Sequence, residues 1–334
     1  MRKHFVIALL FTFSATFMAN GQQLPQFSQY MNNPYVINPA ASSLFSDIDI
    51  NLGFRQQWAG FEGAPQTYYA SGTVNIGKLP APTGKLYSIP ISHPEMLRQP
   101  PTQRYGKHVV GGLVARDEYG VFERTSIMGS YSYHHPIGEK YWIAGGISLG
   151  WYGMNFNQND IILEVDADNT YNDFIANGNQ ANLFDVNAGL YLYSDNAFLG
   201  YSVYQLGRNE INLGNEDTPV NFSSARLEMH HYVTAGYGFA VSEKMRLTPS
   251  FMLKIRPPSP LSVDINLMAE WDRRFRLGLS YRNQDAISVI LGANITDEIR
   301  LAYAYDYITS DINDLSSGSH EVVVGFQFNR KNRK

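Results

Sequence analysis

The acidic run holding Glu164, Asp166, Asp168 and Asp173 offers hard oxygen ligands of the kind that bind calcium. It has neither the central glycine nor the terminal glutamate spacing of a dedicated calcium loop. The histidines include two adjacent pairs, His134-His135 and His230-His231. Neighbouring residues of a strand point to opposite faces, so neither pair can close on one metal ion; anchoring at a membrane interface is the expected role. Serine, histidine and aspartate are present across the expected outer loops, but no spacing singles out a nucleophile, base and orienting acid. The absence of cysteine removes disulfides and thiolate metal sites. The expectation is a protein that is not an enzyme and holds no cofactor or metal.

The charges that do form a pattern are Asp49, Arg55, Arg246, Lys254, Asp264, Glu270, Arg276, Arg282, Arg300, Asp306 and Glu321. Each sits on the polar side of a stretch that alternates with period two, as β-strands require. In Val263 to Trp271 the odd positions are apolar and the even ones mostly polar. After the turn Asp272-Arg273-Arg274, Phe275 to Arg282 repeats the alternation, which predicts an antiparallel hairpin. One such hairpin also suits a soluble sandwich with a wet face. Repetition through most of the chain, with aromatics near strand ends, is the pattern of an outer-membrane barrel whose apolar residues face lipid and polar residues face the lumen. The mixed lumen charges then either pair across a narrow interior or line a polar channel for a partner segment.

Composition agrees. Only 17% of the 334 residues are charged, against roughly 25% in ordinary soluble domains, and aromatics reach 13%, with 22 Tyr and 19 Phe suited to interface girdles. A net charge of -4 argues against a nucleic-acid partner. Met1 to Gly21 reads as an export signal, with Arg2 and Lys3 before an apolar segment and Ala19-Asn20-Gly21 as a cleavage site. Beyond it there is no run of about 18 or more apolar residues, so no spanning helix is expected. The expected organisation is a signal over 1–21, a periplasmic or plug segment over 22–46, a transmembrane antiparallel β-barrel of about 14 strands over 47–328, and a basic tail over 329–334.

Within that plan, residues 22–46 lack strand periodicity and contain two Asn-Pro pairs, Asn33-Pro34 and Asn38-Pro39, which mark turns or short helical starts. The segment either caps one barrel end from the periplasm or enters the lumen. Strands are expected from Ile48 and Tyr68 onward, then near Val109, Phe122, Tyr141, Phe184, Ala197, Tyr232, Met245, Val263, Phe275, Ile287, Ile299 and His320. From Ser194 onward short and long connections alternate, which places both termini in the periplasm; the long Pro-rich stretch from Gly77 to Lys107 is the exception.

Gln26 to Tyr30, Asn33-Pro34, Asn38-Pro39-Ala40-Ala41, Arg55-Gln56-Gln57-Trp58 and Gly318-Ser319-His320-Glu321 resemble the PorP/SprF family of outer-membrane proteins. The resemblance spans essentially the whole chain after the signal. It implies a place in the type IX secretion and gliding apparatus, as a barrel that works with the periplasmic ring and serves export or surface attachment of a cargo protein carrying a type B C-terminal domain. It implies no catalytic residues. On this reading Gln26, Tyr30, Asn33, Pro34, Asn38, Pro39, Arg55 and Trp58 are candidate partner contacts, and Arg246, Asp264, Glu270, Arg276, Arg282, Arg300 and Asp306 are lumen polar residues. The N-terminal block and Gly77 to Lys107 are the expected periplasmic contact, and the loops after Asn157 and Gln205 the expected cargo contact. The competing expectation is a transport barrel for small or hydrophobic solutes with the N-terminal segment as its plug; a barrel hydrolase is a third.

Overall fold

The computed structural model describes residues 24–44, 46–77, 106–156, 180–211 and 225–329. The export signal, nearly all of the Gly77 to Lys107 connection, the acidic run from Glu164 to Asp173 and the tail after Asn329 lie outside the described residues. Among the described residues, fourteen antiparallel strands close into a barrel: β1 Ile48–Gln56, β2 Gln66–Asn75, β3 Lys107–Tyr119, β4 Phe122–Ile137, β5 Tyr141–Phe156, β6 Gln180–Tyr193, β7 Ala197–Tyr204, β8 His230–Tyr237, β9 Met245–Ile255, β10 Ser262–Trp271, β11 Phe275–Arg282, β12 Ala286–Asn294, β13 Ile299–Ile308 and β14 Ser319–Phe328. Past Gly238, Phe239–Ala240 continues the pairing of β8 with β9. Every strand pairs with its sequence neighbours, and β1 closes on β14 in a register that sets Arg55 opposite Glu321. Closure leaves no strand edge in the lipid, so backbone hydrogen bonding is satisfied within the sheet.

The alternation of residue types becomes an alternation of faces. Along β11, Phe275, Leu277, Leu279 and Tyr281 are exposed while Arg276, Gly278, Ser280 and Arg282 are buried. The same pattern on β10, β12, β13 and β14 gives a lipid-facing apolar band outside and a polar lining inside. Tyr–His pairs edge this band: His108 bonds Tyr131 at one end, and His231 bonds Tyr201 and His320 bonds Tyr303 at the other. Both adjacent histidine pairs split across the wall. His134 and His230 point inward and buried, whereas His231 faces out and His135 is exposed.

Strands β7 to β14 are 8–11 residues long, which fits one tilted crossing of a bilayer. Strands β3 to β6 have 13, 16, 16 and 14 residues, so this side of the wall stands taller. Turns at 138–140, 194–196, 272–274 and 295–298 are short and share one end of the barrel with the start of β1. We call this the short-turn end and the opposite one, from which the stretches after Phe156 and Tyr204 leave, the long-loop end.

Residues 24–44 lie inside the barrel. From Phe27 to Leu44 nearly every residue is buried, and the side chains meet inward-facing residues of strands all round the wall. Of the two expected positions, cap or lumen, the chain occupies the lumen. Two short 3-10 turns shape it, Pro34–Val36 and Pro39–Ala41, each opened by an Asn-Pro pair in which proline takes the first helical position. The Asn38 side chain caps the second by accepting from the Ala40 amide at 2.9 Å.

Candidate functional site: the plug and its seat

The plug runs from the long-loop half of the lumen down to the short-turn rim, where Lys107 Nζ donates to the Leu44 carbonyl at 3.1 Å. Its first anchor is a buried charge cluster at the barrel seam. Arg55 of β1 pairs with Asp306 of β13 at 2.8 Å and reaches Glu321 of β14 at 3.5 Å, with all three side chains nearly inaccessible. Ser28 sits in the middle: its hydroxyl accepts from Arg55 at 2.9 Å and donates to Asp306 at 2.7 Å, and its amide donates to Glu321 Oε2 at 2.7 Å. Gln29 adds a bond from its side-chain amide to the Glu321 carbonyl. A buried pair of this kind needs every lone pair and proton answered, and the plug answers several of them.

Beside this latch, Arg282 Nη1 donates to both Gln26 and Asp285 at 2.9 Å while its Nε faces Asp264. Asn266 donates to the Tyr30 hydroxyl at 2.6 Å. Burial, with the nearby Asp264 adding to it, pushes the Tyr30 phenol well up, which keeps it protonated. Met31 packs on Met268, Ile290 and Ala304, and Phe27 meets Tyr69 edge-on at 5.0 Å.

The second half of the plug is seated on backbone and small residues. Asn38 donates to the carbonyls of Leu190 and Tyr201, Ser202 donates to the Ile37 carbonyl and Tyr204 to that of Val36. Tyr35 bonds Ser130, Ser42 bonds Ser132 and Ser43 bonds Thr73. The close approach depends on wall glycines. A Cβ at Gly146 would lie 2.5 Å from the Ala40 amide nitrogen, and one at Gly189 would lie 2.0 Å from the Asn38 side-chain oxygen.

The predicted residues can now be placed. Tyr30, Asn33, Asn38, Pro39 and Arg55 are buried at the plug–wall junction, with Gln26 and Pro34 half-buried beside them. Their side chains are engaged by the barrel's own wall. Trp58 lies outside the plug: its amide donates to the Ser319 hydroxyl, and the next residue joins the two loops at the seam through Ala59 N to the Gly318 carbonyl at 2.7 Å. Of the lumen charges, Asp264, Arg282 and Asp306 belong to the latch region, and Arg300 pairs with Asp49 at 3.0 Å nearer the short-turn end. Arg276 reaches the plug at Asn32, Glu270 stands across from Arg246 and Arg276 in register, and Arg246 bonds the Asn196 side chain at the short-turn rim. Sequence reasoning did not single out Ser28, Tyr35, Gly146 or Gly189, because each acts only through a contact remote in sequence.

The family model described as "Type IX secretion system membrane protein PorP/SprF" matches residues 19–326. No curated protein matches the sequence. Among solved structures, the chain is similar to the CymD monoaromatic hydrocarbon channel, at TM-score 0.48 and 10% identity over 92% of this chain and 94% of that one. It is similar to a Pseudomonas aeruginosa FadL homologue at 0.47 and 10% identity, over 93% and 96%. It also matches the Acinetobacter baumannii outer membrane protein Omp33 at 0.46 and 9% identity, over 86% and 100%.

Proposed function

This chain belongs to the PorP/SprF family of type IX secretion system membrane proteins, and from that membership we propose that it is a non-enzymatic, plugged adaptor in the outer membrane. In this reading the barrel contributes an anchored scaffold. Its long-loop end receives a secreted cargo protein with a type B C-terminal domain, and its short-turn end meets ring proteins of the machine in the periplasm. The observation that supports the adaptor over a transport barrel is the seat of residues 24–44. The latch at Ser28 and the glycine-backed turn at Asn38 to Ala41 hold the plug as part of the barrel interior. A solute path along the lumen would need those bonds to break.

The plug's burial also moves the proposed contacts. Residues 26–41 are engaged with the wall, so the periplasmic contact falls to the short-turn rim and to the chain between β2 and β3, which leaves from that rim. The seam loops 57–65 and 309–318, tied at Ala59 to Gly318 and Ser317, join the stretches after Asn157 and Gln205 as the cargo-facing set. The test is an affinity capture of the tagged protein from gently solubilised outer membranes of its own host, identified by mass spectrometry. Recovery of a surface protein with a type B domain together with ring proteins is the expected result. A barrel that comes out alone and carries solutes across liposomes in its wild-type form would overturn the adaptor reading.

A further inference from the structure

Apart from the latch, a cavity of about 170 Å³ lies between the plug and the inner wall of β3 to β10, towards the long-loop end. Phe27, Val36 and Ile37 of the plug give it an apolar side that Leu113, Met128 and Met252 continue on the wall. Two of its lining residues carry unmatched polar atoms. Asp185 Oδ1 and His230 Nε2 have no hydrogen-bond partner among the described residues, although the residues are only 2% and 9% exposed. Leaving such groups unanswered is costly, so each marks a place where a partner atom is favoured.

Their chemistry says which partner. His230 Nδ1 lies 2.8 Å from the Glu228 carbonyl oxygen, which can only accept, so Nδ1 carries the proton and Nε2 presents a lone pair. A carboxylate oxygen likewise accepts. Both unmatched atoms therefore ask for donors. The three cations on the same lining are already engaged, Arg124 by Asp117 at 2.7 Å, Lys254 by Asp264 at 3.6 Å and Arg256 by the Ser259 hydroxyl, so nothing calls for an anion. An apolar cavity of roughly 150 Å³ is large enough for benzene.

We propose that this chamber binds a small aromatic ring bearing a hydrogen-bond donor, a phenol in the simplest case, with the ring on the apolar side and the hydroxyl on Asp185 or His230. The source is a free phenolic compound or a tyrosine side chain presented by a partner's peptide. The inference stands on the cavity alone and does not rest on the adaptor reading.

The probe is 4-fluorophenol, titrated into the detergent-solubilised full-length protein and followed by fluorine NMR. 4-Fluoroanisole, the same ring with its donor methylated, is the comparison and needs no protein variant. A saturable signal with the phenol bound about tenfold more tightly than the anisole is expected, since an anionic or buried acceptor is left unpaired by the latter. Asp185→Leu and His230→Phe should each narrow that preference, with the heat-modifiable gel mobility of the barrel reporting that the variant is folded. Displacement of the probe by N-acetyltyrosinamide assigns the peptide source; displacement by p-cresol alone assigns the free compound. Equal affinities for the two fluorinated probes, no saturable signal, or an unchanged preference in both folded variants would overturn the proposal.

Discussion

Replacing Gly146 and Gly189 by alanine should unseat the second half of the plug and leave the barrel standing. The Cβ at Gly146 would meet Ala40 N at 2.5 Å and Pro39 C at 2.6 Å, both backbone atoms that cannot rotate away. Restoring ordinary contact needs the turn to retreat by about 1 Å, and overpacking of this kind costs about 1–3 kcal/mol. At Gly189 the new methyl takes the place of the Asn38 side-chain oxygen, so Asn38 must turn and forfeit its bonds to Leu190 and Tyr201, each worth about 1 kcal/mol. Together the pair should weaken the seat by roughly 3–5 kcal/mol, and about 3 kcal/mol already raises a displaced population about a hundredfold. The chain has no cysteine, so a single Ser42→Cys in the buried plug is a clean reporter. In that background the double alanine variant should react with a membrane-impermeant maleimide at least about tenfold faster, and planar-bilayer recordings should show openings that the parent lacks. An unchanged labelling rate in a variant with normal heat-modifiable mobility would refute the claim that these glycines hold the plug.

Three further outcomes follow from the same geometry. Arg55→Leu leaves Asp306 and Glu321 facing each other without their shared cation, so the urea midpoint of the detergent-solubilised barrel should fall by an amount worth about 3–5 kcal/mol, while Arg55→Lys should lose less. Burial raises the folded-state phenols of Tyr30 and Tyr35 above the ordinary phenol value of about 10, so the unfolded plug gives up those protons first as pH climbs; the rate of Ser42→Cys labelling, divided by that of a small free thiol at the same pH to remove the thiolate dependence, should therefore rise above about pH 10 and stay flat from pH 6 to 9. Leu279→Arg puts a charge on the lipid face midway along β11 and should reduce folding into vesicles by about 2–4 kcal/mol, whereas the same change at the exposed seam-loop residue Phe61 should be close to neutral.

The wall was legible in the sequence because a strand's period of two is a local property. Glu270 and Arg276, expected on one polar side of a hairpin, are opposite each other across Asp272 to Arg274, and the inward and outward sets along β2, β9 and β13 are the ones the alternation predicts. What fills the interior was not legible. Alternation says that Ser71, Ser130 and Ser132 face inward but not that Asn33, Tyr35 and Ser42 come to meet them. Ser28 is 278 residues from Asp306 and 293 from Glu321, so no local pattern joins them. The inward glycines read as ordinary small lumen residues, and only the plug backbone lying against Gly146 gives that position its meaning.

The latch also ties the plug to barrel closure. Arg55 and Glu321 face each other across the seam, the one place where the wall joins strands from opposite ends of the barrel sequence. Ser28 bonds both side chains and Asp306 as well, so the site that closes the barrel is the site that holds the plug. Without the plug, the Glu321 carboxylate loses the Ser28 amide and the Asp306 carboxylate loses the Ser28 hydroxyl, while the Glu321 backbone carbonyl loses the Gln29 side chain. Buried carboxylates stripped of such donors depend on Arg55 or on water entering the lumen. The plug and the seam therefore stabilise one another. A barrel truncated of residues 24–44 should fold with a weakened β1–β14 junction as well as an emptier lumen, and hydrogen exchange of the β1 and β14 amides, compared with those of β4 and β5, measures that coupling. Equal protection of the seam with and without the plug would separate the two and reduce the segment to a passive filling.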